Sequence, residues 1–98
     1  MRDIVYLNGR YVPKAEATVP IEDRGFQFAD GVYDLAKFCG RRALRFDEHV
    51  GRLLESCARV GIQGAPSAVE WRGIAGRLVD ECGIVDDVTA PRIFYMQV

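Results

Sequence analysis

Histidine, cysteine and long apolar runs are scarce in this 98-residue chain, and each scarcity removes a class of function. A single histidine, His49, cannot supply a pair of imidazole metal ligands. Cys39, Cys57 and Cys82 are odd in number, far apart and without a CxxC pair, so neither a disulfide framework nor a zinc site is expected. Three buried free thiols are the plainer reading. No apolar stretch approaches the roughly 18 residues of a membrane span. The start, Met1-Arg2-Asp3-Ile4, shows no apolar segment behind a basic end, so no secretory signal is visible. Thirteen basic and 14 acidic side chains leave a formal charge of −1, without the basic excess that nucleic-acid or anionic-membrane binding uses. The glycines form no GxGxxG or Walker loop, and there is no GxSxG nucleophile motif. The expectation is a cytoplasmic protein with no nucleic-acid or membrane partner.

What is present is ordinary globular composition, 49% apolar and 28% charged, on a length that allows one domain. Ile4 to Leu7, then Asn8-Gly9, then Arg10 to Val12 predicts a hairpin, because Asn-Gly supplies the two positive-φ residues of a type I′ turn. Pro13 suits the strand exit. Residues 14 to 31 have no period and hold Pro20, Gly25 and Gly31, which predicts a long, partly extended connection. Val32 to Cys39 alternates: Tyr33, Leu35, Lys37 and Cys39 share one face, and Val32, Asp34, Ala36 and Phe38 the other. A turn at Gly40-Arg41 leads to a second strand over residues 42–46.

From Asp47, a candidate N-cap, the period becomes helical, with Val50, Leu53, Leu54, Cys57, Ala58 and Gly61 on one face. A second helix opens on a Ser67/Glu70 capping box, carries Trp71, Ile74, Ala75, Leu78 and Cys82 as its stripe, and stops at Gly83. Residues 90–98 read as a strand. The fold class is therefore α+β, a mainly antiparallel sheet with two helices on one face. Natural domains seldom end in a strand interior such as Arg92 to Val98, so the natural chain is expected to continue.

Few residues offer chemistry. Tyr33 either packs inward as core or presents its ring and hydroxyl to a ligand. Lys37, on the same strand face, is either a solvated edge lysine or an anion or carbonyl partner. Arg52 has Glu48 and Glu55 at i−4 and i+3, which predicts an exposed ion pair; its functional alternative is bidentate phosphate binding. His49 reads as a helix-surface or capping residue.

The run Asp23-Arg24-Gly25-Phe26-Gln27-Phe28-Ala29-Asp30-Gly31-Val32-Tyr33 closely resembles the N-terminal signature of class IV (fold-type IV) pyridoxal-phosphate aminotransferases, and is most like D-amino acid aminotransferases. The similarity continues through Phe46 to Leu53, the opening hairpin and the closing Ile93 to Val98. It implies that residues 1–98 are the small N-terminal domain of a two-domain transaminase, usually a homodimer, acting on an amino acid and a 2-oxo acid. Tyr33 would line the substrate site, Arg52 would hold the cofactor phosphate, and Leu35 and Lys37 would project toward the same site. The implied reaction is a ping-pong transfer on pyridoxal 5′-phosphate. The family's cofactor-linking lysine, its ring-nitrogen glutamate, its second phosphate loop and its arginine–histidine pair for the substrate carboxylate would all follow Val98. Neither Lys14 nor Lys37 matches that lysine, so these residues alone are expected to be inactive, with no catalytic residue of their own.

Tyr33 after Gly31-Val32 favours the D-amino acid group over branched-chain aminotransferases and aminodeoxychorismate lyases, which more often show phenylalanine there. Asp34 departs from the glutamate general in D-amino acid aminotransferases and looks more like (R)-selective amine transaminases. A different class also stands open: a non-enzymatic domain that dimerises through its sheet and C-terminal strand.

Overall fold

The computed structural model describes residues 2–85 and 92–98. Strands β1 (Ile4–Leu7) and β2 (Arg10–Pro13) pair antiparallel, with Tyr6 opposite Tyr11 and Leu7 opposite Arg10. Asn8 and Gly9 both take positive φ (49° and 85°), as the sequence predicts for a type I′ turn. The following connection is less extended than expected. A 3₁₀ turn spans Lys14–Glu16, and a short helix, α1 (Arg24–Phe28), starts where the Asp23 carboxylate accepts the Gly25 N–H at 2.9 Å. Five residues are too few to show a helical period, so only the cap could have announced it.

Strand β3 (Tyr33–Cys39) lies between β4 (Arg42–Ala43) and β5 (Arg92–Gln97), all antiparallel. β4 is shorter than the predicted strand over 42–46, and residues 90–91 of the predicted last strand lie outside the described residues. β3 alternates strictly: Asp34, Ala36 and Phe38 are buried, while Tyr33, Leu35 and Lys37 are exposed. β5 continues the pattern, with Phe94 and Met96 inward and Ile93, Tyr95 and Gln97 outward. Tyr33 therefore does not point into the core; it is 64% exposed and stacks on Tyr95, ring centroids 5.8 Å apart.

Helix α2 (Phe46–Val60) packs on β3 and against α3 (Ala68–Glu81), and α3 also packs on the hairpin strand β1. The two longer helices thus cover one side, and the core of Ala36, Val50, Leu53, Trp71, Ile74 and Met96 lies between them and the sheet. The N-cap of α2 lies two residues earlier than expected. Arg45 occupies the N-cap in a left-handed conformation, Phe46 packs on the core, and Asp47 sits in the first turn, where its charge suits the helix dipole and accepts from Arg72 at 2.8 Å. Gly61 ends α2 at φ 78°. The capping box of α3 is complete, Ser67 Oγ accepting from Glu70 N–H and Glu70 Oε1 accepting from Ser67 N–H. Those bonds hold the Glu70 carboxyl below its ordinary pKa. All three cysteines are free, but only Cys57 is buried; Cys39 and Cys82 are half-buried at the ends of β3 and α3.

The two faces of β3 differ in what they contribute to stability. Leu53, fully buried beneath Ala36, is expected to cost about 3 kcal/mol on truncation to Ala, whereas Leu35→Ala on the open face should stay within about 0.5 kcal/mol. Urea denaturation of the two variants checks this, and equal losses would contradict the assignment of faces.

Candidate functional site

A carboxylate on the covered face of a strand must be paired, because an isolated ion out of water is costly. Asp34 is 5% exposed and stands at the start of β3, opposite Met96 of β5. Its partners come from one face of α2. His49 and Arg52 are three residues apart, so both side chains project toward the strand. Arg52 Nε–H donates to Asp34 Oδ2 at 2.6 Å and Nη2–H to Oδ1 at 2.9 Å, a bidentate pair. Oδ1 also accepts the Leu35 backbone N–H and contacts His49 Nδ1, each at 2.9 Å.

The Arg52 bond is the first cause of the low Asp34 pKa, about 2; the His49 and Leu35 bonds add to it, and burial opposes them. The same carboxylate raises the Arg52 pKa. An ionised Asp34 can only accept, so the His49 nitrogen facing it carries the proton, which assigns the neutral ring as the Nδ1–H tautomer. A helix-surface or capping role for His49 is thereby corrected: the ring braces a buried acid.

Arg52 also departs from its expected ion pair. Glu55 accepts from Arg59 at 2.6 Å and Glu48 lies 3.9 Å from Arg45, so both neighbouring acids are engaged elsewhere. With its Nε/Nη2 edge on Asp34, the guanidinium keeps three of its five N–H donors at the Nη1/Nη2 end, on a side chain that is 67% exposed. That end is a planar fork of the kind that grips an oxyanion.

Tyr33, Leu35 and Lys37 lie together on the open face, opposite the face that holds Asp34. Tyr33 adjoins Asp34 in sequence and shares its end of the strand. Lys37 is four residues further along, about 13 Å at strand rise. The structure therefore gathers Tyr33 and Arg52 at one end of β3, on its two sides, and leaves Lys37 apart from them. Asp34 and His49 are the members that the sequence analysis did not place in the site. An aspartate alternating with Ala36 and Phe38 on an inward face is the signal that could have found them.

A separate concavity of about 670 Å³ lies near the other end of β3, between Phe38 and α3. The ion pairs Arg41–Asp80, Arg72–Asp47 and Arg45–Glu48 cross its rim, so its charges are mutually satisfied. Among the described residues no group of acids, cysteines or histidines could hold a metal ion, and no helix is long and apolar enough to cross a membrane.

No family model matches the chain. It is 41% identical over 76 residues to the D-alanine aminotransferase of Bacillus licheniformis, covering 78% of this chain and 27% of that protein. The corresponding enzyme of Listeria monocytogenes serotype 4b is 38% identical over 80 residues, covering 82% of this chain and 28% of the relative. The chain is homologous to D-alanine aminotransferases. The resemblance first carried by the Asp23–Tyr33 run is borne out, and the chain spans just over a quarter of the length of these relatives. Two solved structures share the fold. A branched-chain aminotransferase from Thermoproteus uzoniensis, solved with norvaline, matches at TM-score 0.80 and 22% identity, over 99% of this chain and 32% of that one. A hypothetical aminotransferase from Mycobacterium tuberculosis in its PLP-bound form matches at 0.65 and 19%, over 97% and 38%. The expected α+β architecture holds.

The Asp34 cluster has a signed pH dependence. The folded-state pKa is depressed, so its contribution is complete above the unfolded value near 3.8 and is lost as pH falls from there to about 2. The loss is at most about 2 kcal/mol, reduced by the exposure of Arg52. Denaturation at pH 5 and pH 2 is expected to show that extra loss in the wild type and not in Asp34→Asn; parallel curves would remove Asp34 as its source.

Proposed function

We propose that residues 1–98 form the N-terminal small domain of a transaminase that exchanges the amino group between a D-amino acid and a 2-oxo acid on pyridoxal 5′-phosphate, as a cytoplasmic homodimer. The observation that carries this is the outward guanidinium fork of Arg52, fixed by a buried acid, in a homologue of D-alanine aminotransferases.

The residues present fit the phosphate end of that cofactor, because Arg52 offers a bidentate donor edge at an exposed position. When bound, pyridoxal phosphate supplies the reactive carbonyl and the electron-accepting ring. The chain's own residues bind and orient. Arg52 grips the phosphate, and Tyr33, at the same end of β3, offers a ring and hydroxyl to the substrate side. Leu35 continues that wall, and Lys37 lies at its far end. Lys14, in the 3₁₀ turn, and Lys37, distant from Arg52's end of the strand, are unsuited to move a proton at the substrate carbon. The lysine that does so belongs to a following domain, and the 98 residues alone do not transaminate.

A second reading, an (R)-selective amine transaminase, is favoured by the aspartate at position 34. The match to a branched-chain aminotransferase rests on fold alone and does not shift the substrate class.

The 98-residue chain, given pyridoxal phosphate, D-alanine and 2-oxoglutarate, is expected to release no pyruvate, and the product of the complete reading frame is expected to release it. In that longer product, Arg52→Ala should weaken pyridoxal phosphate binding by about tenfold or more. Turnover of L-leucine with indifference to D-amino acids would refute the substrate class. A reading frame that stops at Val98 would refute the domain assignment.

A further inference from the structure

We infer that Asp34 is the positioning residue for anion binding by Arg52. By occupying the Nε/Nη2 edge it presents the Nη1/Nη2 end to an oxyanion, and His49 holds Asp34 in that role. The inference rests on Arg52 being the phosphate residue, and adds what aims it.

Three observations support it. Asp34 is buried on the central strand of the sheet, so it is a rigid anchor rather than a second mobile side chain. Its Oδ1 is fixed independently of Arg52 by Leu35 N–H and His49 Nδ1–H, each at 2.9 Å. The acids that could draw Arg52 along its own helix, Glu48 and Glu55, face Arg45 and Arg59 instead. An arginine loses much rotamer freedom when it grips an anion; held beforehand by Asp34, it loses less.

Asp34 also carries a negative charge that repels the anion, so positioning and charge act in opposite directions. Immobilising one long side chain is worth up to about tenfold in affinity. Repulsion across an exposed gap of about 7 Å is worth about threefold, and less in about 0.15 M salt, where the screening length is about 8 Å. Positioning wins. Asp34→Asn removes the charge and releases the edge together, with little change of shape, so the sign of the affinity change shows which effect dominates. The amide oxygen can keep the Leu35, His49 and Arg52 Nη2 donors, while its NH₂ faces the Nε–H and releases that edge.

The test is titration of the 98-residue chain with inorganic phosphate in about 0.15 M salt, followed at the ¹⁵N-labelled Nε–H of Arg52 and at backbone amides. Asp34→Asn is expected to weaken phosphate binding about threefold or more, and to speed exchange of the Arg52 Nε–H with water. In an Arg52→Lys background, which keeps the charge but has no fork, the same substitution should change affinity less than about twofold. Equal or tighter binding by Asp34→Asn overturns the inference, as does an undiminished effect in the lysine background. If Asp34→Asn does not fold, His49→Phe removes only the outer brace and should still weaken phosphate about twofold; unchanged affinity there overturns it. Arg52→Ala separates the two levels. If it leaves phosphate binding intact, Arg52 is not the anion residue and both readings fall, as they do if the wild type binds none. If it abolishes binding while Asp34→Asn does not weaken it, only the positioning role falls.

Discussion

One buried carboxylate organises this domain. Asp34 gives up its hydration on the covered face of β3, and the structure replaces water with four donors: one from its own strand, one from His49 and two from Arg52. An uncompensated charge there would cost several kcal/mol, so α2 is held in the rotation that aims His49 and Arg52 at it. That rotation also turns Val50, Leu53 and Cys57 into the core. The polar tie and the apolar stripe agree. Such agreement between levels is what lets a small sheet and two helices settle on one arrangement.

The same carboxylate fixes the parity of the strand. With Asp34 inward, Tyr33, Leu35 and Lys37 must face outward, because a strand's side-chain period is two. Their partners on β5 follow by register, Tyr95 opposite Leu35 and Ile93 opposite Lys37. One strand thus performs two jobs. Its inner face anchors the guanidinium fork, and its outer face carries a stacked tyrosine pair. Under the transaminase reading, phosphate and substrate portions of one ligand would be handled from the same end of one rigid element, which limits how far either can drift.

Much of the fold was legible in the sequence because its signals are local. Asn8-Gly9 and the Ser67/Glu70 box each dictate a turn or a cap through their own backbone chemistry, and each is found where it was expected. The failures are equally physical. α1 is shorter than any period, and the start of α2 was set by Phe46 reaching the core rather than by the capping preference of Asp47. For the site, alternation sorted β3 into two faces correctly but did not say which was covered. A tyrosine looked like the better core residue than an aspartate, and the reverse is true because His49 and Arg52 lie beneath. Long-range pairing across 15 and 18 residues has no local signature. What could be read was the anomaly of one acid among Ala36 and Phe38.

Under the transaminase reading, that acid would also bear on the substrate class. An aspartate side chain is one methylene, about 1.5 Å, shorter than a glutamate, so the tie between strand and helix is short. Asp34 is paired with Met96 of β5, so the short reach falls on Arg52, whose long stem adjusts more cheaply than packed backbone. A fork drawn closer to β3 would place a phosphate bound there closer to the Tyr33 end of the strand. Displacements near 1 Å matter for reacting groups held at attack distance. Under that reading, the choice between D-amino acids and simple (R)-amines would be tied to the inner face of β3 through Arg52, as well as to the outer wall of Tyr33 and Leu35. On that reading, residues that never touch the substrate would still decide where it sits.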